Sequence, residues 1–155
     1  MKKIEVYTDG AVSNNGYENA VGGWAYTIYV DNKLTASNYG RLEGATNQQM
    51  ELRAMIEGCK EAYALAQTLG NEVDVYSDSA YCINCYNQKW YKGWRINGWK
   101  NARKQLVANK ELWEELIYYF EAPFFHFYKV KGHANDKRNN EVDKMAVLAR
   151  MGGSQ

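Results

Sequence analysis

The segment Lys3-Ile4-Glu5-Val6-Tyr7-Thr8-Asp9-Gly10 decides how this chain folds. Ile4, Val6 and Thr8 occupy every second position, which is the period of a β-strand that buries one face. An Asp-Gly pair, here at residues 9 and 10, favours a turn and ends the run. The segment therefore predicts a first strand that begins near the N-terminus and carries an acid where it ends.

The residues after this strand predict a three-stranded meander. Residues 22–30 are rich in aromatic and β-branched side chains, which favour a second strand. Asp31-Asn32 is a turn signal, and residues 34–40 form the return strand.

The pattern then changes from the strand period to the helical one. Thr46 is a good helix N-cap, residues 47–69 carry apolar side chains at helical spacing, and Gly70-Asn71 ends the run. Residues 73–76, 80–87, 110–120, 124–130 and 139–150 predict in turn a strand, a helix, a helix, a strand and a helix, with residues 89–100 irregular. This order predicts an α/β fold in which an antiparallel meander joins parallel strands.

Composition places the chain among ordinary globular domains. It has 155 residues, 46% hydrophobic and 24% charged, which predicts one domain over residues 1–155 with one buried core. The net charge of +1 does not by itself indicate a nucleic-acid partner. With no secretory signal and no apolar run long enough to span a bilayer, we expect a cytoplasmic protein without a membrane partner.

Cysteine usage also indicates a reducing compartment. Three cysteines cannot form a fully paired framework. Cys82 and Cys85 have the spacing of a zinc or redox pair, but neither His126 nor His133 belongs to a second ligand pair at zinc spacing. The two cysteines are therefore interpreted as small apolar helix residues, and His126 as a structural strand residue.

Four acids fall at informative places on this map. Asp9 and Asp78 are predicted at the ends of two parallel strands, where ligand crevices form in open α/β sheets. Glu51 and Asp143 lie in the first turns of helices that pack on the sheet. Like charges about 4 Å apart repel by about 4 kcal/mol at an effective dielectric constant of about 20. A cluster of these acids is therefore reasonable if it binds Mg²⁺ or Mn²⁺.

Each acid also has an ordinary structural interpretation. Asp9 with Gly10 would form a strand-end turn, and Glu51 would be an acid favoured by the helix dipole. Asp78 would cap the helix that follows it, and Asp143 would be a solvated helix residue. Taken singly, none of the four acids is diagnostic.

The order and spacing of five segments resemble the type 1 ribonuclease H family, in particular bacterial ribonuclease HI-like members with a basic protrusion. The resemblance covers about residues 2–150. The segments are Tyr7-Thr8-Asp9-Gly10-Ala11, Thr46-Asn47-Gln48-Gln49-Met50-Glu51-Leu52, Tyr76-Ser77-Asp78-Ser79-Ala80-Tyr81, Gly98-Trp99-Lys100, and Val130-Lys131-Gly132-His133-Ala134 with Asn139 to Asp143 after it.

The resemblance implies a ribonuclease H-like fold, a five-stranded mixed sheet flanked by helices, and a monomer that cuts the RNA strand of RNA–DNA hybrids internally. It implies two Mg²⁺ ions with substrate bound, Mn²⁺ as a substitute, 5′-phosphate and 3′-hydroxyl products, and a role in removing primers and R-loops. The family's metal ligands fall on Asp9, Glu51, Asp78 and Asp143. Its histidine, which assists proton transfer or product release, falls on His133.

The resemblance also assigns substrate contacts. It implies that Asn47 and Gln48, and also Asn15, contact the backbone and the 2′-hydroxyls that mark RNA. Independently, residues 89–110 carry seven cations and no acid, interleaved with aromatic rings, which suits phosphates and sugars. The segment corresponds to the basic protrusion of the family, and the resemblance implies that it grips the DNA strand. We expect some of its tryptophans to enter the core. The predicted contacts in it are Lys89, Trp90, Lys92, Trp94, Arg95, Trp99 and Lys100.

Two other functions compete with this one. Proofreading-type exonucleases of the wider superfamily usually begin with Asp-x-Glu on the first strand, whereas this chain has Asp9-Gly10-Ala11. A non-catalytic nucleic-acid-binding module of the same fold should have lost at least one of the four carboxylates, and none is missing.

Overall fold

The computed structural model describes residues 2–70, 72–130 and 136–152. Within these ranges it contains five strands and five helices, one helix more than predicted, and the predicted elements follow in the predicted α/β order. They are β1 (Ile4–Ser13), β2 (Val21–Val30), β3 (Lys33–Glu43), α1 (Asn47–Leu69), β4 (Val73–Ser77), α2 (Ala80–Gln88), α3 (Trp90–Asn97), α4 (Lys110–Phe120), β5 (Phe125–Lys129) and α5 (Lys137–Arg150).

The strands form one mixed sheet in the order β3-β2-β1-β4-β5. β1 pairs antiparallel with β2, and β2 pairs antiparallel with β3, so the meander is as predicted. β4 pairs parallel with β1 on one side and with β5 on the other. The predicted five-stranded mixed sheet is confirmed.

Helices cover the sheet unequally on its two faces. Against one face, α1, α2 and α4 bury the main core, in which Val6, Leu52, Val75 and Trp113 are fully enclosed. Against the other face, α5 packs on β1, β2 and β3 around a smaller apolar cluster. Burying each large apolar side chain contributes about 1.5–3 kcal/mol, so the main core dominates the stabilisation of the fold.

The longest helix begins and ends where the sequence predicts. The Thr46 hydroxyl accepts a hydrogen bond from the Gln49 amide at 3.2 Å, and the Gln49 side chain accepts one from the Thr46 amide at 2.9 Å. Gly70 ends α1 with a φ of 67°, a conformation that glycine adopts without a steric cost. Both ends of α1 are therefore determined by local chemistry.

The prediction that Asp9-Gly10 ends the first strand is wrong. β1 continues to Ser13, which pairs with Val21 of β2. Only the parallel ladder to β4 stops early, at the pair Tyr7 and Tyr76. The antiparallel partner keeps the backbone extended beyond the Asp-Gly pair, which overrides the turn preference.

The prediction of irregular structure over residues 89–100 is also wrong. Residues Trp90–Asn97 form α3, which follows α2 after a break at Lys89. Lys89 adopts a φ of 55° and ends α2, and Gly98, with a φ of 78°, ends α3. Packing of the aromatic rings on the core stabilises a helix that local composition does not indicate.

The cysteines follow the sequence interpretation. Cys82 and Cys85 are free thiols on α2, and burial raises the pKa of both. His126 lies on β5, where its Nε2 contacts Glu72 Oε1 at 2.5 Å. Among the described residues, no helix combines the length and apolar character that crossing a bilayer requires.

We expect Gly23→Ala to weaken the seating of α5. A β-carbon at residue 23 would overlap the carbonyl oxygen of Ala146 and lie 2.5 Å from the amide nitrogen of Arg150, so the helix backbone must move. The free energy of unfolding, measured by urea denaturation, should fall by about 1–3 kcal/mol. The control Gly93→Ala introduces a β-carbon into open space on α3 and should raise it by about 0.5–1 kcal/mol. Equal effects of the two changes would contradict the role of this contact.

Candidate active site

Three carboxylates from three elements meet at one edge of the sheet. Asp9 lies on β1, Glu51 on α1, and Asp78 directly after β4. One oxygen of each carboxylate lies within 4.8 Å of the others. The parallel register that pairs Tyr7 with Tyr76 places Asp9 and Asp78 two residues farther along adjacent strands. Three of the four predicted acids therefore form a cluster.

Gly10 lets α1 approach β1 closely enough to complete this cluster. A β-carbon there would lie 2.6 Å from the Met50 carbonyl carbon and 2.7 Å from the Glu51 amide nitrogen. The Gly10 amide donates a hydrogen bond to Glu51 Oε1 at 2.7 Å and one to Asp9 Oδ1 at 2.9 Å. Close packing and these hydrogen bonds hold Glu51 beside Asp9.

The fourth acid, Asp143, approaches the cluster from α5. Its side chain is exposed, and its negative charge helps to raise the pKa of Asp9. Asn139, one turn earlier on the same helical face, is 4% exposed, and its nearby side chain opposes the rise in the pKa of Asp78. No role was predicted for Asn139. Its spacing of four residues from Asp143 is the signal that places it beside the site.

Burial and mutual repulsion dominate the electrostatics of the cluster. Burial, followed by the charges of Glu51 and Asp78, raises the pKa of Asp9. Burial and the charge of Asp78 raise the pKa of Glu51, against the opposing effect of the Gly10 amide. Burial and the charge of Asp143 raise the pKa of Asp78. Each carboxylate is therefore harder to ionise in the folded protein than in water.

The described part of the chain provides no cationic side chain bound to the acids of the cluster. Among the described residues, no salt bridge involves any of the four acids, although Lys129 acts on Asp78 at longer range. Oxygen donors gathered without a balancing cation form the kind of site that holds a hard divalent metal ion. The acids present fit such an ion.

The ordinary structural roles of these acids are taken by other residues. Ser79, rather than Asp78, caps α2, since its hydroxyl accepts a hydrogen bond from the Cys82 amide at 3.2 Å. The first turn of α1 contains no acid, and Glu51 lies after that turn. The N-cap of α5 is Asp136, and Asp143 lies two turns into that helix. The clustered acids therefore do not serve as helix caps.

The polar residues predicted to contact RNA lie together near the acids. Asn15, in the loop after β1, accepts a hydrogen bond at 3.1 Å on its side-chain oxygen from the Asn47 amide. Gln48 follows on α1 and is exposed. The predicted His133 lies outside the described residues.

The basic segment differs in part from its prediction. Lys89, Lys92 and Lys100 are exposed, and among the described residues none of them forms a salt bridge. Arg95 instead forms a two-point ion pair with Glu121, at 2.7 and 2.8 Å. The lysines are thus available to a ligand, whereas the charge of Arg95 is already balanced.

The three tryptophans of this segment are half-buried against the main core. The ring of Trp94 lies 5.5 Å from that of Trp99 and 5.4 Å from that of the fully buried Trp113. Trp90 packs on Trp94 at 6.3 Å. These rings therefore attach α3 to the body of the protein.

Comparison with known proteins points to one family. A sequence model of the RNase H family matches residues 1–151. A ribonuclease H of Clostridium botulinum is 42% identical over 147 residues, which are 94% of each chain. A ribonuclease H of Symbiobacterium thermophilum is 37% identical over 156 residues, covering 100% of this chain and 99% of its own.

Solved structures share the fold at lower identity. The foamy viral protease-reverse transcriptase in complex with dsDNA matches with a TM-score of 0.80 at 22% identity, over 96% of this chain and 94% of its own. LC11-RNase H1 in complex with an RNA/DNA hybrid matches with a TM-score of 0.70 at 20% identity, over 97% and 98%.

We expect the crowded acids to destabilise the metal-free protein as the pH rises. The raised pKa of Asp9 means that its carboxyl contributes stability fully below the ordinary value of 3.8 and loses that contribution as the pH rises through the folded pKa. In EDTA, Asp9→Asn should therefore flatten the fall of Tm between about pH 5 and about pH 8. The exposed Glu18→Gln should leave the wild-type curve unchanged. Parallel curves for Asp9→Asn and wild type would contradict this electrostatic account.

Proposed function

Because this chain belongs to the type 1 ribonuclease H family, we propose that its clustered carboxylates cut the RNA strand of RNA–DNA hybrids at internal positions. The observation that carries the proposal is the meeting of Asp9, Glu51 and Asp78 at one edge of the sheet, with Asp143 beside them. We further propose that the whole chain, residues 1–155, acts as one catalytic domain and as a monomer.

The cofactor is proposed to be Mg²⁺, with two ions bound beside the substrate and Mn²⁺ as a substitute. The donors are carboxylate oxygens, the ligands that these hard cations prefer. Divalent ions held there supply the Lewis acidity that activates a water and stabilises a leaving oxygen, which corresponds to 5′-phosphate and 3′-hydroxyl products. The ions would be held by Asp9, Glu51, Asp78 and Asp143.

Two of the acids are oriented by one backbone group of this chain. The Gly10 amide donates a hydrogen bond to one oxygen of Glu51 and to one oxygen of Asp9. Partners of this kind hold ligands in place before an ion arrives, which reduces the cost of ordering them on binding. The chain in this way prepares the site, and the exposed Asp143 completes the set of ligands from α5. His133 is proposed to assist proton transfer or product release.

Recognition of a hybrid requires separate contacts to its two strands. A solved relative of the same fold, LC11-RNase H1, is in complex with an RNA/DNA hybrid, which supports this substrate class. Asn15, Asn47 and Gln48 lie close to the acids, a position suited to 2′-hydroxyls of the strand that is cut. Lys89, Lys92 and Lys100 are proposed to hold phosphates of the DNA strand.

This assignment refines the expected role of the other basic-segment residues. The half-buried Trp90, Trp94 and Trp99 contribute mainly by supporting α3, and the paired Arg95 contributes less charge than the lysines. In the cell we propose a cytoplasmic enzyme that acts on primers and R-loops.

The proposed chemistry predicts that Asp9→Asn abolishes Mg²⁺-dependent cleavage but preserves hybrid binding. Loss of a shared metal ligand should lower the rate by about 10³-fold or more, equivalent to several kcal/mol of lost transition-state stabilisation. Cleavage is measured with end-labelled RNA in a uniform hybrid, and binding by a gel-shift assay. Glu18→Gln, at an exposed acid, serves as the control. Undiminished cleavage by Asp9→Asn would contradict the proposed mechanism.

The same assay discriminates among the competing functions. RNA–DNA hybrid, duplex RNA and duplex DNA are each incubated with wild-type protein, with and without Mg²⁺. We expect a ladder of internal RNA cuts from the hybrid alone, and only with the metal. Products shortened from one end would indicate an exonuclease, and binding without cleavage would indicate a non-catalytic module.

The exposed lysines are expected to contribute to binding more than Arg95 does. The triple change of Lys89, Lys92 and Lys100 to alanine should weaken hybrid binding and flatten its dependence on salt. Each lost phosphate contact should reduce the slope of log K against log salt by about one. Arg95→Ala removes an equally basic side chain that is already paired with Glu121, so its slope should stay close to wild type. A triple variant with an unchanged salt slope would refute the proposed DNA contacts.

A further inference from the structure

The first turn of α5 is tied to the sheet by one guanidinium group. Arg138 Nη1 donates to Glu5 Oε1 at 3.0 Å, and Nη2 donates to the side-chain oxygen of Asn32 at 3.1 Å. The guanidinium carbon lies 3.9 Å from the centre of the Tyr29 ring and 5.7 Å from that of Tyr7. One side chain of α5 thereby contacts β1, β2 and the turn that follows β2.

This anchor is partly buried, and both terminal nitrogens of the guanidinium are hydrogen-bonded. The Arg138 side chain is 24% exposed and the Glu5 side chain 7% exposed. Both terminal nitrogens of the guanidinium are used, and one of its faces is covered by Tyr29. A planar five-donor group held in this way gives a fixed geometry that a lysine does not reproduce. It is not available to a substrate phosphate.

The anchored turn lies directly before the residues of α5 that reach the acids. The next residue is Asn139, which is buried beside Asp78, and Asp143, which lies beside Asp9, is one turn after Asn139. Residues 139 and 143 share a helical face, and residue 138 projects from a different one. A contact that fixes residue 138 therefore fixes the rotation of the helix, and with it the direction of residues 139 and 143.

The main apolar contacts of α5 do not supply this constraint. Val142 and Ala146 are fully buried against Ala25 and neighbouring rings, and such contacts tolerate small rotations of a helix. Toward its other end, Gly23 fits against Ala146 and Arg150. The directional contacts that join the first turns of α5 to the sheet include those of Arg138 and a longer, 3.4 Å hydrogen bond from the Tyr29 hydroxyl to Glu141.

We propose that Arg138 is a positioning residue for the metal-binding acids, acting through the rotation of α5 on Asn139 and Asp143. The inference rests on the proposed function, since it concerns the same carboxylate cluster. It assigns the ion pair between Arg138 and Glu5 a role in metal affinity and turnover, separate from its contribution to folding.

The test compares Arg138→Met with Lys3→Met. Lys3 pairs with the same Glu5 carboxylate, at 3.3 Å, but lies outside α5 and is 59% exposed. For Arg138→Met we expect the half-saturating Mg²⁺ concentration to rise and kcat to fall, each by about 10-fold, as for other lost supports of metal ligands. The KM for hybrid should change less than about 2-fold, because Arg138 does not contact it. Lys3→Met should match wild type in all three quantities.

A second variant separates positioning from folding. Arg138→Met leaves the buried Glu5 carboxylate with less charge compensation, which alone destabilises the protein. Adding Glu5→Gln removes that buried charge but does not restore the anchor. We expect the double variant to recover Tm while its Mg²⁺ midpoint and kcat stay impaired. Recovery of Tm and activity together would overturn the proposal, as would an Arg138→Met enzyme with a wild-type Mg²⁺ midpoint.

Failure of the proposed function has a different signature. If the wild-type protein does not cut hybrid in the presence of Mg²⁺, the proposed function itself is wrong. If the wild type cuts and Arg138→Met cuts with the same metal dependence, only the positioning role fails. Arg138→Lys, which keeps the charge and loses the planar fork, should fall between wild type and Arg138→Met.

Discussion

The close contact of α1 with β1 at Gly10 is the constraint on which the rest of this protein depends. A helix backbone packs directly on a strand backbone because residue 10 has no side chain. That contact brings Glu51 beside Asp9, and the Gly10 amide holds the glutamate carboxylate in place through a hydrogen bond. The same contact packs α1 on the main core, which contains Leu52, the residue that follows Glu51. Core packing and site geometry are therefore consequences of one interaction.

The sequence alone predicts the parts of the molecule whose structure depends on residues that are neighbours in the chain. Thr46 and Gly70 bound α1 because capping groups and left-handed glycine act within a few residues. The four acids could be named in advance because strand ends and helix starts converge in an α/β fold, and family resemblance selected among the many acids of the chain. The length of β1 beyond Asp9 could not be predicted in this way, since it depends on pairing with β2 rather than on the Asp-Gly pair.

Contacts between distant residues account for what sequence reasoning missed. α3 forms because Trp94 packs on Trp113 from another helix and on Trp99, which follows α3. The charge of Arg95 is balanced by Glu121, which lies after α4. Because the basic segment contains no acid of its own, its sequence does not predict this partner. Arg138 joins Glu5 from the opposite end of the chain. In each case the partner is specified by the three-dimensional fold, so composition and period contain no signal for it.

β1, the first strand of the chain, is hydrogen-bonded on both edges, by β2 and by β4. Its pairing with β2 is local, whereas its pairing with β4 joins Ile4 to Val73 across the whole of α1. Parallel pairing over such a separation requires closing a long loop before any hydrogen bond is gained. During synthesis the meander can form as it emerges. One of the two edges of β1 then stays unpaired until β4 has left the ribosome, and α5 is the last element to cover the strand. Asp9, Glu51 and Asp78 can therefore come together only once β4 has been made, and Asp143, on the last helix, completes the negative site at the end of synthesis.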